Sequence, residues 1–321
     1  SGDPHEIQGN LFQNNGGLAI NAGSNAINAE YNSWGQYAET TIATVDTDPW
    51  THVDLYLTGA PYLNQAVNGR EITVKVMANL KNVTGAAFEL QYDSAKVDFV
   101  SATPTIAFEP VPEKSSVLDA STTGLIKYDG YKGTGVTGAG IELYTVVFKA
   151  KALGEAALSY SPTTDKFSMS PTYGSSNYIY AAGLTGATVT VVDPPTITSS
   201  DIQGYYLTGE TRDFYVLTEN PVTGGDYQHA LFKYVIQSAV KADIKTFQYY
   251  TGSAWADMQL IEEDGNLVGE FGIAPTGFHM IPGHSANTQF HIEFNTAKNY
   301  SFILTLVDKD AGNYELARLD K

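Results

Sequence analysis

From residue 53 onward, apolar residues recur at every second position far more than at the three- and four-residue spacing of a helix. In 70–79, Ile72, Val74 and Val76 fall on one side of an extended chain. In 85–93, Phe88, Leu90 and Tyr92 face one way while Ala87, Glu89 and Gln91 face the other. Similar stretches follow at 53–57, 94–102, 125–128, 141–150 and 187–192, and a second series occupies 213–218, 230–236, 244–250, 255–260, 267–271, 288–294 and 300–308. Hairpin chemistry stands at Glu263-Asp264-Gly265-Asn266 and Asp310-Ala311-Gly312-Asn313. The pattern predicts an all-β chain of tandem β-sandwiches. Val192-Asp193-Pro194-Pro195 separates the two series, since neither proline can donate to a ladder. The expected domains are thus 1–52, 53–193 and 194–321.

The first 52 residues read differently. Ile7-Gln8-Gly9-Asn10-Leu11-Phe12-Gln13-Asn14-Asn15-Gly16-Gly17-Leu18-Ala19-Ile20 and Ala26-Ile27-Asn28-Ala29-Glu30-Tyr31-Asn32-Ser33-Trp34-Gly35 alternate asparagine with aliphatic residues. This resembles the last coils of a right-handed parallel β-helix, in which asparagine turns the corners. Two coils make no core of their own, because a solenoid coil is buried only by its neighbours. Such a segment caps a longer helix, packs on the domain that follows, or lends its strands to another subunit. An extended Asn/Gly-rich leader is the other reading.

Composition narrows the function. Only 17% of residues are charged, and Gly and Tyr are abundant, as suits strands joined by tight turns. The net charge of −17 is spread as −6, −3 and −8 over the three blocks, a field that disfavours nucleic acid and anionic lipid as partners. With no cysteine, thiolate metal sites and cysteine nucleophiles are excluded. There is no apolar run long enough to span a bilayer, so membrane insertion is not expected. The start at Ser1-Gly2-Asp3-Pro4 reads as that of a processed product.

The order "I-T-V-x-V", "N-V-x-G-A-x-F-E-L-x-Y-D-x-x-x-V-x-F-V-S" and "L-Y-T-V-V-F-K-A-K", completed by Leu153-Gly154-Glu155-Ala156, resembles the cohesin family over about 53–192. The resemblance implies a nine-stranded jelly-roll sandwich. Cohesins of cellulosomes bind dockerin modules through one flat β-face, and the same fold occurs in surface proteins, including carbohydrate-binding relatives. The closing Leu306-Val307-Asp308-Lys309-Asp310-Ala311-Gly312-Asn313 resembles the last hairpin of bacterial Ig-like domains.

Nucleophile elbows, Gly-rich phosphate loops, HExxH and Ser/His/Asp groupings are all missing from the sequence, so a non-catalytic protein is expected. The outward Glu89 and Gln91 are candidate binding residues, as are the tyrosines Tyr128, Tyr131, Tyr173 and Tyr178, whose rings suit stacking on sugars. No cofactor is required. A structural calcium is a candidate at Asp308, Asp310, Asn313 and Glu315, although the glycine comes one position too early for an EF-hand. His279, His284 and His291 make a weaker metal candidate. The functional expectation is an extracellular structural or adhesive building block of a surface appendage, sheath or layer, assembling into a homo-polymer by strand exchange through its N-terminal segment. The alternative is a binding module for polysaccharide or a dockerin-type partner.

Overall fold

The computed structural model describes residues 52–321 apart from 61–62, 111–115, 162–165, 170–177, 180, 182, 201, 203 and 272–277, and before them five two-residue strands. The chain divides into two compact units, Ser1–Val191 and Val192–Lys321. Strands dominate both, and among the described residues no helix is long and apolar enough to cross a membrane.

Two long antiparallel strands, Glu71–Tyr92 and Leu125–Ala150, organise the first unit. The sequence pattern breaks each of them in two. Asn82 explains the continuity of the first: it holds the left-handed region at φ 56°, which asparagine tolerates, and the strand turns a corner without ending. In the second, glycine-rich residues 132–140 carry successive register shifts instead of a loop.

Each long strand therefore serves both layers of the sandwich. The first half of Glu71–Tyr92 pairs with His52–Ala60 and with residues 141–149, which in turn pair with Val97–Pro104. The second half of Glu71–Tyr92 pairs with residues 125–131, Gly154–Tyr160 and Lys166–Met169, and Gly154–Tyr160 continues the layer to Ala187–Val192. Between the layers lies one core containing Ile72, Val74, Val76, Leu90, Val146, Phe148 and Ala156. At its centre Phe88, Tyr128 and Tyr144 stack, with centroids 5.0 Å and 5.6 Å apart along the series.

The second unit has a five-stranded sheet in the order Thr196–Ser199, Thr211–Glu219, Ser285–Phe294, Ile244–Tyr250, Trp255–Asp257. Its other main sheet runs Leu260–Glu263, Asn266–Phe271, Tyr227–Gln237, Ser301–Asp308, Tyr314–Asp320, with Phe278–Met280 paired to Tyr227–Gln237. Phe214, Phe247 and Phe290 of the first sheet meet Tyr234 of the second at 6.4, 5.4 and 5.0 Å, so the sheets pack face to face. Asp264 and Gly265, at φ 49° and 75°, close the hairpin the sequence marks there.

The five short strands of the N-terminal segment pair in parallel. His5–Glu6 lies beside Ile27–Asn28, which lies beside Val45–Asp46, and Leu11–Phe12 lies beside Ser33–Trp34. From His5 to Ile27 and from Leu11 to Ser33 the offset is 22 residues, and from Ile27 to Val45 it is 18.

Candidate docking face

Period-2 alternation places Ala87, Glu89 and Gln91 outside the first sandwich, between the buried Phe88, Leu90 and Tyr92. Their lateral neighbours come from strands distant in sequence. Lys127 stands opposite Glu89, its Nζ 3.8 Å from the carboxylate, and Asp119 stands opposite Lys127 on the next strand out. Gln91 has Leu125 on one side and Ser159 on the other, and Asp129 lies opposite Ala87. Tyr131, 40% exposed, lies farther along the same face, opposite Gly85 and across from Glu109. Of the candidate binding residues, Glu89, Gln91 and Tyr131 thus share one face.

Tyr128 does not join them. It is in phase with Ile126, and its ring is buried between Phe88 and Tyr144. The expectation that Tyr128 stacks on a sugar is corrected: its ring is core, and burial pushes its phenol pKa up. Tyr178 lies on the short strand Tyr178–Ile179, its backbone opposite Ser168. Tyr173 lies outside the described residues.

The face is partly exposed and mixed in charge. Lys127–Glu89 is a partly exposed pair worth at most about 1 kcal/mol, so either partner can be given up to an incoming group. Lys127, Asp119, Asp129 and Ser159 belong to this face although sequence reasoning singled out none of them. The alternation of Lys127 and Asp129 with buried Ile126 and Tyr128 was the available signal.

The acidic loop of the second unit is arranged as a turn. Asp308 is buried, and its Oδ1 accepts the Asp310 N–H at 3.0 Å. Burial pushes the Asp308 carboxyl up to about 6; the Asp310 N–H pulls it down, the Asp310 charge raises it, and the Ala311 N–H lowers it again. The Asp310 carboxylate lies 2.7 Å from His229 Nδ1. Asn313 takes φ 65°, and Glu315 sits opposite Val307 on the return strand. His279 and His291 pair separately with Asp226 and Asp213 at 2.6 and 2.7 Å. Among the described residues, no group of three or more His, Asp or Glu is gathered as a metal ion would need.

Residues 64–191 match the family model described as Cohesin domain. No curated protein matches the chain. Among solved structures, the chain is similar to the sixth cohesin of Acetivibrio cellulolyticus scaffoldin B, solved in complex with the Cel5 dockerin, at 18% identity and TM-score 0.34, over 44% of this chain and 99% of that one. It is also similar to CaCohA2 from Clostridium acetobutylicum, at 18% identity and TM-score 0.34, over 44% and 90%. A non-cellulosomal cohesin from the archaeon Archaeoglobus fulgidus gives 17% identity and TM-score 0.34, over 44% and 91%.

Proposed function

We propose that this chain is a non-catalytic, extracellular docking protein whose first sandwich receives a dockerin-type protein partner on the outer face that carries Glu89 and Gln91. The cohesin match over residues 64–191 carries this reading. The face supports it: Glu89, Gln91, Lys127 and Asp129 offer donors and acceptors of both signs on adjacent strands, as a polar protein interface uses. The test is surface plasmon resonance of the full chain against a panel of dockerin modules. Saturable binding to at least one is expected, weakened roughly tenfold or more by Glu89→Lys combined with Gln91→Lys. A chain that binds none of them, or a double variant that binds as well as the parent, overturns it.

A second reading is favoured by the parallel pairs of the N-terminal segment. With the division 1–52, 53–193 and 194–321, the chain is a surface building block: solenoid coils, a cohesin module and an Ig-like sandwich. Parallel partners 22 residues apart are what β-helix coils of that length produce. Coils with an open edge can pair with those of another copy, so this reading includes a homo-polymer. Light scattering on the full chain and on a form lacking residues 1–35 decides it; an unchanged particle size rules out coupling through this segment. Calcium at the Asp308–Glu315 hairpin belongs to the same reading and is tested by a rise in melting temperature with millimolar calcium that a chelator reverses.

A further inference from the structure

The five-stranded sheet of the second unit turns an unusual row of side chains to the outside. Along Thr211–Glu219 the inward set is Phe214, Val216 and Thr218, which leaves Asp213 and Tyr215 outward. On the next strand, Gln289 lies opposite Tyr215 and His291 opposite Asp213. Farther across, Gln248 lies opposite His291 and Asp257 opposite Gln248, while Trp255 lies opposite Tyr250. Two parallel rows result. One is Tyr215, Gln289, Tyr250 and Trp255; the other is Asp213, His291, Gln248 and Asp257.

The first row is aromatic and open. Tyr215, Tyr250 and Trp255 are 41%, 39% and 40% exposed. Four strands wide, the row covers three strand spacings, roughly 14 Å. The second row is polar and braced: His291 Nδ1 lies 2.7 Å from Asp213 Oδ1, and Gln248 Nε2 donates to Asp257 Oδ1 at 2.7 Å. Trp255 is steadied by Tyr250, with centroids 5.5 Å apart, and by an edge contact with His291 at 5.7 Å. Rings with few rotatable bonds, held beside oriented hydrogen-bonding groups, lose little entropy when a ligand covers them.

We infer that this face is a binding platform for a single chain of a soluble, uncharged polysaccharide. A sugar ring has C–H-rich faces and a rim of hydroxyls. The aromatic row matches the first and the Asp213–His291–Gln248–Asp257 row matches the second. Charge excludes the anionic glycans: this unit carries 8 basic against 17 acidic residues, and two of the acids stand in the polar row. Crystalline surfaces are excluded by geometry, because the planes of Tyr250 and Trp255 are 58° apart and cannot both lie on one flat face. A protein partner is the poorer fit, since aliphatic residues are scarce here; Leu217 is half-buried at the margin.

Affinity electrophoresis of the full chain in gels containing xyloglucan, arabinoxylan, galactomannan, mixed-linkage glucan or hydroxyethylcellulose tests this, with pectate and microcrystalline cellulose as contrasts. Retardation by at least one of the five uncharged polymers is expected, weakened roughly tenfold by Trp255→Ala and by Tyr250→Ala in variants whose circular dichroism is unchanged. Should a variant fold poorly, Gln289→Ala and Tyr215→Ala provide the same readout. Mobility unaffected by all five uncharged polymers, retention on pectate or crystalline cellulose alone, or retention that survives loss of the rings overturns the inference.

Discussion

The outer face around Glu89 and the outer face around Trp255 are both made by strands whose alternate residues are buried, yet they expose different kinds of side chain. The first shows Ala87, Glu89, Gln91, Lys127 and Asp129, with Tyr131 toward its end. These are short or flexible groups tied by a weak ion pair. The second shows three stiff rings and two hydrogen-bonded pairs. A flexible mixed-charge face gains from an equally polar partner that supplies matching charges, whereas stiff rings gain from a ligand that merely covers them. One layer architecture thus presents two chemically different faces, and the distinction lies wholly in the residues left outside.

The largest effects should come from the cores under these faces. Phe88→Ala in the first sandwich and Phe290→Ala in the second each remove a fully buried ring from an aromatic stack, at a cost of about 3–5 kcal/mol in urea denaturation. A cost below 1 kcal/mol for either would mean that its ring is not a keystone of the layer above it.

Next comes Asp308. Its folded-state carboxyl, at about 6, lies above that of an unfolded aspartate, so folding favours the protonated form. The stabilisation from this group is complete below about pH 4, is lost as pH rises through about 6, and is absent at pH 7. Asp308→Asn keeps an acceptor for the Asp310 N–H and should raise stability at pH 7 by on the order of 2 kcal/mol, flattening the slope between pH 4 and 6. A variant less stable than the parent in calcium, and only in calcium, would instead mark the loop as an ion site.

Smaller changes separate the faces themselves. Lys127→Ala and Tyr215→Ala should each leave the unfolding free energy within about 0.5 kcal/mol of the parent's, since both side chains are largely outside their cores. Smallest of all is Tyr128→Phe, which keeps the stacked ring and should alter neither dockerin nor polysaccharide binding. A measurable loss of either would restore Tyr128 to the surface.

Much of this fold was legible in the chain. Strands 213–218, 244–250 and 300–308 stand almost where their alternation put them, and so does the 263–266 turn. The two long strands of the first unit were not readable as single elements. An asparagine at position 82 and a run of glycines near 130–140 look like loops, and only pairing with a partner strand keeps them extended. The sites divide in the same way. Alternation says that Glu89, Tyr215 and Trp255 point outward. It is silent on which strands lie side by side, and the Trp255 row exists only because strands from 211, 285, 244 and 255 are neighbours in that order. Tyr128 shows the reverse error: its phase with Ile126 already marked it as inward, and its type alone suggested a surface role.

The parallel offsets near the N-terminus bear on how this protein can change length. In the proposed solenoid reading, partners 22 residues apart would advance a ladder by one strand spacing, about 4.8 Å, for each circuit of chain. From Ile27 to Val45 the offset is 18. In that reading, gain or loss of a whole circuit would leave every remaining pair in register. Duplication or deletion of gene segments on that scale would then resize the proposed stack in discrete steps.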